Sequence, residues 1–159
     1  MKDLNIQIAI KIYEYEELNA ADRELLDAAR QATYRSYAPY SHFSVGAAAR
    51  LANNIIVTGT NQENAAYPSG FCAERTTLFY ANPNIPTRLW RHLHSRPQRT
   101  RRVPRKNRFP VRRLPAGNAR NGKRFKRPMR ILLSGEKGIY ELRSVGALLP
   151  LSFDASSML

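Results

Sequence analysis

The chain has 159 residues, a length that fits one domain around one modest hydrophobic core. Its hydrophobic content of 43% is ordinary for a globular protein, and no apolar run approaches the roughly 18 residues that a membrane helix needs. The net charge of +14 suggests a nucleic acid or an anionic surface as partner, and the single cysteine excludes an intrachain disulfide framework. The N-terminus is a poor secretory signal, so we expect a cytoplasmic protein with no membrane partner.

The first 60 residues predict a strand, a helix and a hairpin in that order. Isoleucines alternate with other residues over positions 6–12, which favours a strand or an extended arm. A helix is expected from Ala20 to Tyr37, with Asn19 as its N-cap. Residues 42–51 and 55–60 then predict two strands that an Asn-Asn turn joins.

A polar loop and a short helix follow, with Cys72 in the first turn of that helix. A helix N-terminus presents free N–H groups and a positive dipole end, which favours a thiolate, and a thiolate is a zinc ligand. Glu74 would stand beside such a metal and transfer protons. The alternative is a small buried cysteine and a solvated glutamate. Likewise, Asn61, Glu63 and Asn64 either grip a hydroxylated ligand or form turns.

The segment from Thr87 to Arg130 contains 17 of the 26 Lys and Arg residues and no Asp or Glu. No period of two or 3.6 persists there, so residues 87–122 are predicted to be an atypical basic segment, disordered when taken alone. Its charge could bind nucleic-acid phosphates, with Trp90 and Phe109 stacking on bases. Two further strands are predicted, at 129–135 and 139–145.

Two motifs in this order, SHFSVGAA at 41–48 and GTNQENAAYPSGFCAER at 59–75, resemble the N-terminal half of the cytidine deaminases. The resemblance implies a single α/β domain over 1–159, a three-layer α/β/α fold around a mixed sheet. It implies hydrolysis of cytidine and deoxycytidine to the uridines and ammonia. It also implies one Zn²⁺ per subunit, a nucleoside as substrate and a homotetramer of the branch that binds zinc through three cysteines.

The same resemblance implies a role for each matching residue. Cys72 corresponds to a zinc ligand, Glu74 to the catalytic proton carrier and Arg75 to a support of the metal site. Substrate binding falls on four residues: Phe43, Asn61, Glu63 and Phe153. The last of them lies in the segment 148–153, which resembles the closing segment that reaches a neighbouring subunit's site.

The resemblance covers 4–86 and resumes at 123–158, but the P-C-x-x-C element with the other two zinc cysteines is absent. His92 and His94 are the nearest alternative ligands. Read one nucleotide later, codons for Phe109 to Ala116 can spell Ser-Pro-Cys-Gly-Ala-Cys-Arg-Gln, which restores the element. We therefore predict a deaminase gene read out of frame there, and negligible activity of the chain with this sequence. A nucleic-acid-binding protein and a catalytically inactive deaminase-fold subunit are the alternatives.

Overall fold

A computed structural model describes residues 2–51, 53–84, 90–99, 129–135 and 137–148 of the chain, with the backbone alone for 82–84 and 90–99. Six strands form one sheet in the order β1-β6-β5-β4-β2-β3, in which β4 and β5 are parallel and the other neighbours antiparallel. The elements are β1 (Lys11–Tyr13), α1 (Ala20–Ala32), β2 (Phe43–Leu51), β3 (Ile56–Thr60), α2 (Ala73–Asn84), β4 (Trp90–Arg99), β5 (Arg130–Gly135) and β6 (Gly138–Leu142).

The two helices cover opposite faces of the sheet. Side chains alternate along β2, because successive residues of a strand point to opposite faces. Ala47 and Ala49 are buried in one cluster with Leu78 of α2, whereas Ala48 is buried in another with Leu25 of α1. The predicted three-layer α/β/α arrangement around a mixed sheet is confirmed.

Helix α1 begins where the sequence predicted and ends earlier. The Asn19 side chain accepts a hydrogen bond from the Asp22 N–H at 2.9 Å, which is the predicted N-cap. The helix ends at Ala32 and not near Tyr37, because the backbone tightens into a 3₁₀ turn over Thr33–Arg35 and becomes extended at Ser36. No helix in the described parts of the chain is both long and apolar enough to cross a membrane.

The N-terminal residues form a strand only over three positions. Strand β1 pairs with β6 through Lys11, Ile12 and Tyr13, and the isoleucines at 6, 8 and 10 lie before it, exposed. The alternation therefore marks an extended arm for most of its length. These isoleucines do not form a buried strand, because no described residues pack over their side chains.

Strand β4 contradicts the prediction that residues 87–122 hold no regular element. Residues 90–99 lie between β2 and β5, with His94 opposite Ala48 on one side and Leu132 on the other. The strand was missed because its sequence lacks alternation, while its backbone is paired on both sides. Residues 100–128 and 149–159 lie outside the described residues. Phe153 and the positions 109–116, where the P-C-x-x-C element would lie, are among them.

Candidate active site

The segment Asn61–Glu63 leaves β3 and runs between two other pieces of chain. Gln62 forms a parallel bridge with Tyr37 and an antiparallel bridge with Phe71. Gln62 and Phe71 exchange both backbone hydrogen bonds, each at 2.9 Å. An antiparallel bridge sets the residues on either side of it opposite each other, so Asn61 lies across from Cys72. The polar loop and the start of α2 therefore form one site.

Cys72 precedes α2 directly, and Glu74 is buried in the first turn of that helix at 5% exposure. Burial and the neighbouring Glu74 carboxylate raise the pKa of the Cys72 thiol to about 11, against the lowering influence of the Arg75 backbone N–H and charge. Without a metal the thiol is therefore protonated at neutral pH, and hydrogen bonding with Glu74 contributes to the raised pKa. Burial and the carboxylate oppose the helix end in the metal-free chain, so the thiolate that zinc would bind stays a prediction for the metal-bound site.

A zinc ion does not fit the described residues. A catalytic zinc site generally has three protein ligands, and the family's chemistry supplies them as thiolates and imidazoles. Among the residues with described side chains, no group of three or more His, Cys, Asp or Glu could hold a metal. Cys72 is also the single cysteine of the whole sequence. The backbones of His92 and His94 lie in β4, opposite Arg50 and Ala48.

Asn61 is almost buried, and its side chain clamps the start of β2. The amide oxygen accepts the Val45 N–H at 2.7 Å, and the amide nitrogen donates to the Phe43 carbonyl at 2.9 Å. The side chain continues the pairing that a neighbouring strand would make. Asn61 therefore fixes the backbone of Phe43, the half-buried first residue of β2.

Glu63 holds the turn that leads into β2. Its Oε2 accepts the N–H groups of Tyr40 at 3.0 Å and Ser41 at 3.1 Å, and its Oε1 accepts the Ser41 hydroxyl. Burial alone raises the pKa of Glu63. The hydrogen bonds from Ser41 and Tyr40, together with the charge of His42, lower the pKa by more than burial raises it, so the net shift is downward. The carboxylate is ionised at neutral pH and already oriented.

Sequence reasoning missed Tyr40 and Ser41 as members of the site. Their hydrogen bonds to Glu63 span 23 and 22 positions respectively, and no periodic pattern reports contacts over such a separation. The available signal was the position of Ser41 at the first letter of the earlier motif.

The predicted role of Arg75 as a support of the metal site stays a prediction, and the structure shows where its side chain lies in the described residues. Its guanidinium carbon lies over the rings of Phe71 and Phe79, 5.2 Å from each centroid, in a cation–π stack. What reaches the Cys72 sulfur is the backbone N–H of Arg75. The structure therefore brings together Phe43, Asn61, Glu63, Cys72, Glu74 and Arg75, while Phe153 lies outside the described residues.

The residues from 19 to 90 match the family model described as the cytidine and deoxycytidylate deaminase zinc-binding region. Cytidine deaminase from Halalkalibacterium halodurans is 48% identical over 61 residues, 38% of this chain and 46% of that protein. Cytidine deaminase from Mycobacterium tuberculosis is 50% identical over 46 residues, 29% of this chain and 35% of that protein. The chain thus matches less than half the length of these two relatives.

Solved structures match over a longer span. The crystal structure of cytidine deaminase from Burkholderia pseudomallei superposes with a TM-score of 0.66 at 30% identity, covering 82% of this chain and 97% of that one. The structure of cytidine deaminase from Mycobacterium tuberculosis has a TM-score of 0.64 at 27% identity, covering 86% of this chain and 99% of that one. The chain therefore belongs to the cytidine deaminase family.

Proposed function

We propose that this site serves the hydrolytic deamination of cytidine and deoxycytidine to uridine and deoxyuridine, with release of ammonia. The observation that carries the proposal is the pairing of Gln62 with Phe71, which sets the Asn61–Glu63 segment beside Cys72 and Glu74. A nucleoside needs polar groups that hold its sugar and, next to them, a proton carrier at its base. These two segments supply both kinds of group.

Each residue has a separate task in this proposal. Phe43 packs against the pyrimidine. Asn61 belongs with Glu63 to the pair that holds the sugar, and its hydrogen bonds to the Phe43 carbonyl and the Val45 N–H hold Phe43 in place. Glu63 accepts a hydrogen bond from a sugar hydroxyl. Glu74, buried next to Cys72, would take a proton from the water molecule that adds to the base and deliver it to the departing amine.

Zinc belongs to the chemistry of this family, and when bound it supplies an activated water molecule. Because the described residues do not fit the ion, we propose that the chain with this sequence binds zinc weakly and turns over at a negligible rate. The account that reconciles this with the family match is the one-nucleotide shift. The shifted reading keeps Pro110 and gives cysteine at positions 111 and 114, which is the spacing of P-C-x-x-C.

The nucleotide sequence across the codons for Ala81 to Lys126, read from fresh template, is the first test of the shift. We expect compensating one-base differences on the two sides of the segment, in which case the protein is an ordinary zinc cytidine deaminase. A confirmed reading frame would rule out a sequencing error and leave a deaminase that has lost its metal site.

Ammonia release from cytidine tests the function itself. The chain in which residues 109–116 carry the shifted reading is expected to release ammonia, and Glu74→Gln in that chain is expected to abolish the release. The chain with the present sequence should stay near the buffer blank. Absence of release from the zinc-loaded, folded replacement chain would contradict the proposed function.

The finer features stay proposals that rest on the resemblance: the homotetramer, the role of Phe153 in a neighbouring site, pyrimidine salvage, the cytoplasmic location and the single domain over 1–159. The family match favours deamination over the nucleic-acid-binding alternative. Steep loss of RNA or DNA binding between low and moderate salt would revive that alternative.

A further inference from the structure

The turn before β2 carries a serine whose hydroxyl has two partners. The Ser41 Oγ accepts the N–H of Phe43 at 3.1 Å and donates its proton to Oε1 of Glu63. Because the Phe43 N–H occupies one lone pair, the hydroxyl proton is directed toward the carboxylate. The turn is closed by the His42 N–H, which donates to the Ala38 carbonyl at 3.1 Å, and His42 has a φ of 50°. A positive φ at a residue other than glycine persists only where surrounding contacts hold it.

The acceptor capacity of Glu63 is nearly used by this turn. An ionised carboxylate has about four lone-pair sites. Two backbone N–H groups, of Tyr40 and Ser41, occupy those of Oε2, and the Ser41 hydroxyl occupies one on Oε1. Among the residues that the structure describes, one site on Oε1 is left, and its direction is fixed by the other three hydrogen bonds. A ligand hydroxyl can donate there without reorganising the carboxylate.

We propose that Ser41 is a positioning residue, which acts through Glu63 to fix one acceptor lone pair for a sugar hydroxyl of the bound nucleoside. The inference rests on the proposed function, since it names Glu63 as the group that receives the sugar. It assigns Ser41 no contact with the pyrimidine and no part in proton transfer. Its effect is therefore confined to ligands that carry the sugar.

The experiment compares the binding of cytidine and of cytosine, the free base, to the full chain by NMR titration in the presence of EDTA, which prevents metal-dependent turnover. Ser41→Ala is expected to raise the dissociation constant for cytidine by about tenfold, the scale of one hydrogen bond to a charged group. The dissociation constant for cytosine should change by less than about twofold. Ser41→Thr keeps the hydroxyl and should restore cytidine binding. Ser69→Ala, an exposed serine on the neighbouring loop, is the matched control and should change neither constant.

A double-mutant cycle separates positioning from mere folding. In a Glu63→Gln background, Ser41→Ala should add less than about a twofold change for cytidine, because its effect passes through the carboxylate. Equal losses for cytidine and cytosine, or additive losses in the cycle, would overturn the inference. If Ala loosens the turn enough to lower the melting temperature, the Thr variant decides, since it retains the hydroxyl.

The outcomes distinguish the inference from the function on which it rests. If the unaltered chain binds neither cytidine nor cytosine, the proposed nucleoside site is wrong and the role of Ser41 falls with it. If the unaltered chain binds cytidine and Ser41→Ala binds it equally well, the inference alone is wrong.

Discussion

At the scale of single residues, Gly46 shows how closely α1 approaches the sheet. A Cβ built on Gly46 would overlap the carbonyl oxygen of Ala29 and lie 2.8 Å from the Thr33 nitrogen. Both are backbone atoms, which cannot rotate away as the end of a flexible side chain can. We expect Gly46→Ala to lower the free energy of unfolding by about 2–3 kcal/mol, measured by urea denaturation.

Gly146→Ala is the control for that change. Among the described residues its Cβ would meet the Ser144 Oγ, at 3.6 Å, which is an ordinary van der Waals distance. Its free energy of unfolding should stay within about 0.5 kcal/mol of the parent value. Equal effects of the two substitutions would mean that the approach of α1 to Gly46 is not as close as the structure has it.

The residues of the site were partly predictable from sequence. The two motifs identified Phe43, Asn61, Glu63, Cys72 and Glu74, and the structure brings these five together. The clamp from Asn61 to β2 was not predictable, because a side chain that replaces strand pairing leaves no mark on hydrophobic periodicity. The burial of Cys72 and the nearby Glu74 carboxylate, which raise the pKa of the thiol, are properties of the folded chain that no local pattern reports.

At the scale of elements, one arginine joins three of them. The guanidinium of Arg130, at the start of β5, donates to both carboxylate oxygens of Asp22 on α1 at 2.8 Å and to Glu141 on β6 at 2.6 Å. The Asp22 side chain is 4% exposed. Arg130→Ala removes the cation from that buried carboxylate and leaves it the hydrogen bond from the Asn19 amide, so we expect a loss of about 3–4 kcal/mol in the free energy of unfolding by urea denaturation.

Arg143→Ala is the matched control, because Arg143 is exposed just beyond the end of β6. It should change the free energy of unfolding by less than about 0.5 kcal/mol. Asp22 lies in the first turn of α1, where an acidic residue stabilises the helix through its dipole. Its partner lies 108 positions away, so no local pattern could reveal that the carboxylate is buried and paired.

The same cluster makes stability depend on acid. The hydrogen bond from Arg130 lowers the pKa of Glu141 below its ordinary value of 4.5, despite the opposing effect of burial. A carboxyl whose pKa is lower in the folded state stabilises the fold fully above its ordinary pKa. That contribution disappears as the pH falls through the lowered pKa. We expect the urea concentration at the unfolding midpoint to decrease as the pH drops below about 4.5, and to decrease less steeply in Glu141→Gln. An identical acid slope in the variant would exclude Glu141 as a source.

At the scale of the whole molecule, the sequence predicted the outer elements of the fold but not the central strand β4. The cap at Asn19, the hairpin of β2 and β3, and the strands β5 and β6 follow from local chemistry and alternation, and the structure has all of them. Strand β4 lies at the centre of the sheet between β2 and β5, yet its ten residues carry no alternation. Its place is determined by backbone pairing with both neighbours, which a search for periodicity cannot detect.

The basic segment that contains β4 also contains residues 109–116, where the shifted reading restores two cysteines. Metal binding by the whole molecule therefore tests that reading. The chain in which residues 109–116 carry the shifted reading should bind about one zinc ion per chain, and EDTA should lower its melting temperature, because a ligand bound only by the folded state stabilises it. The chain with the present sequence should melt at the same temperature with and without EDTA. The matched control carries the same replacement but retains Val111 and Leu114, so that composition is corrected while both thiols are missing. If this control binds zinc as well as the full replacement, the metal does not depend on cysteines at 111 and 114, and the out-of-frame account loses its chemical basis.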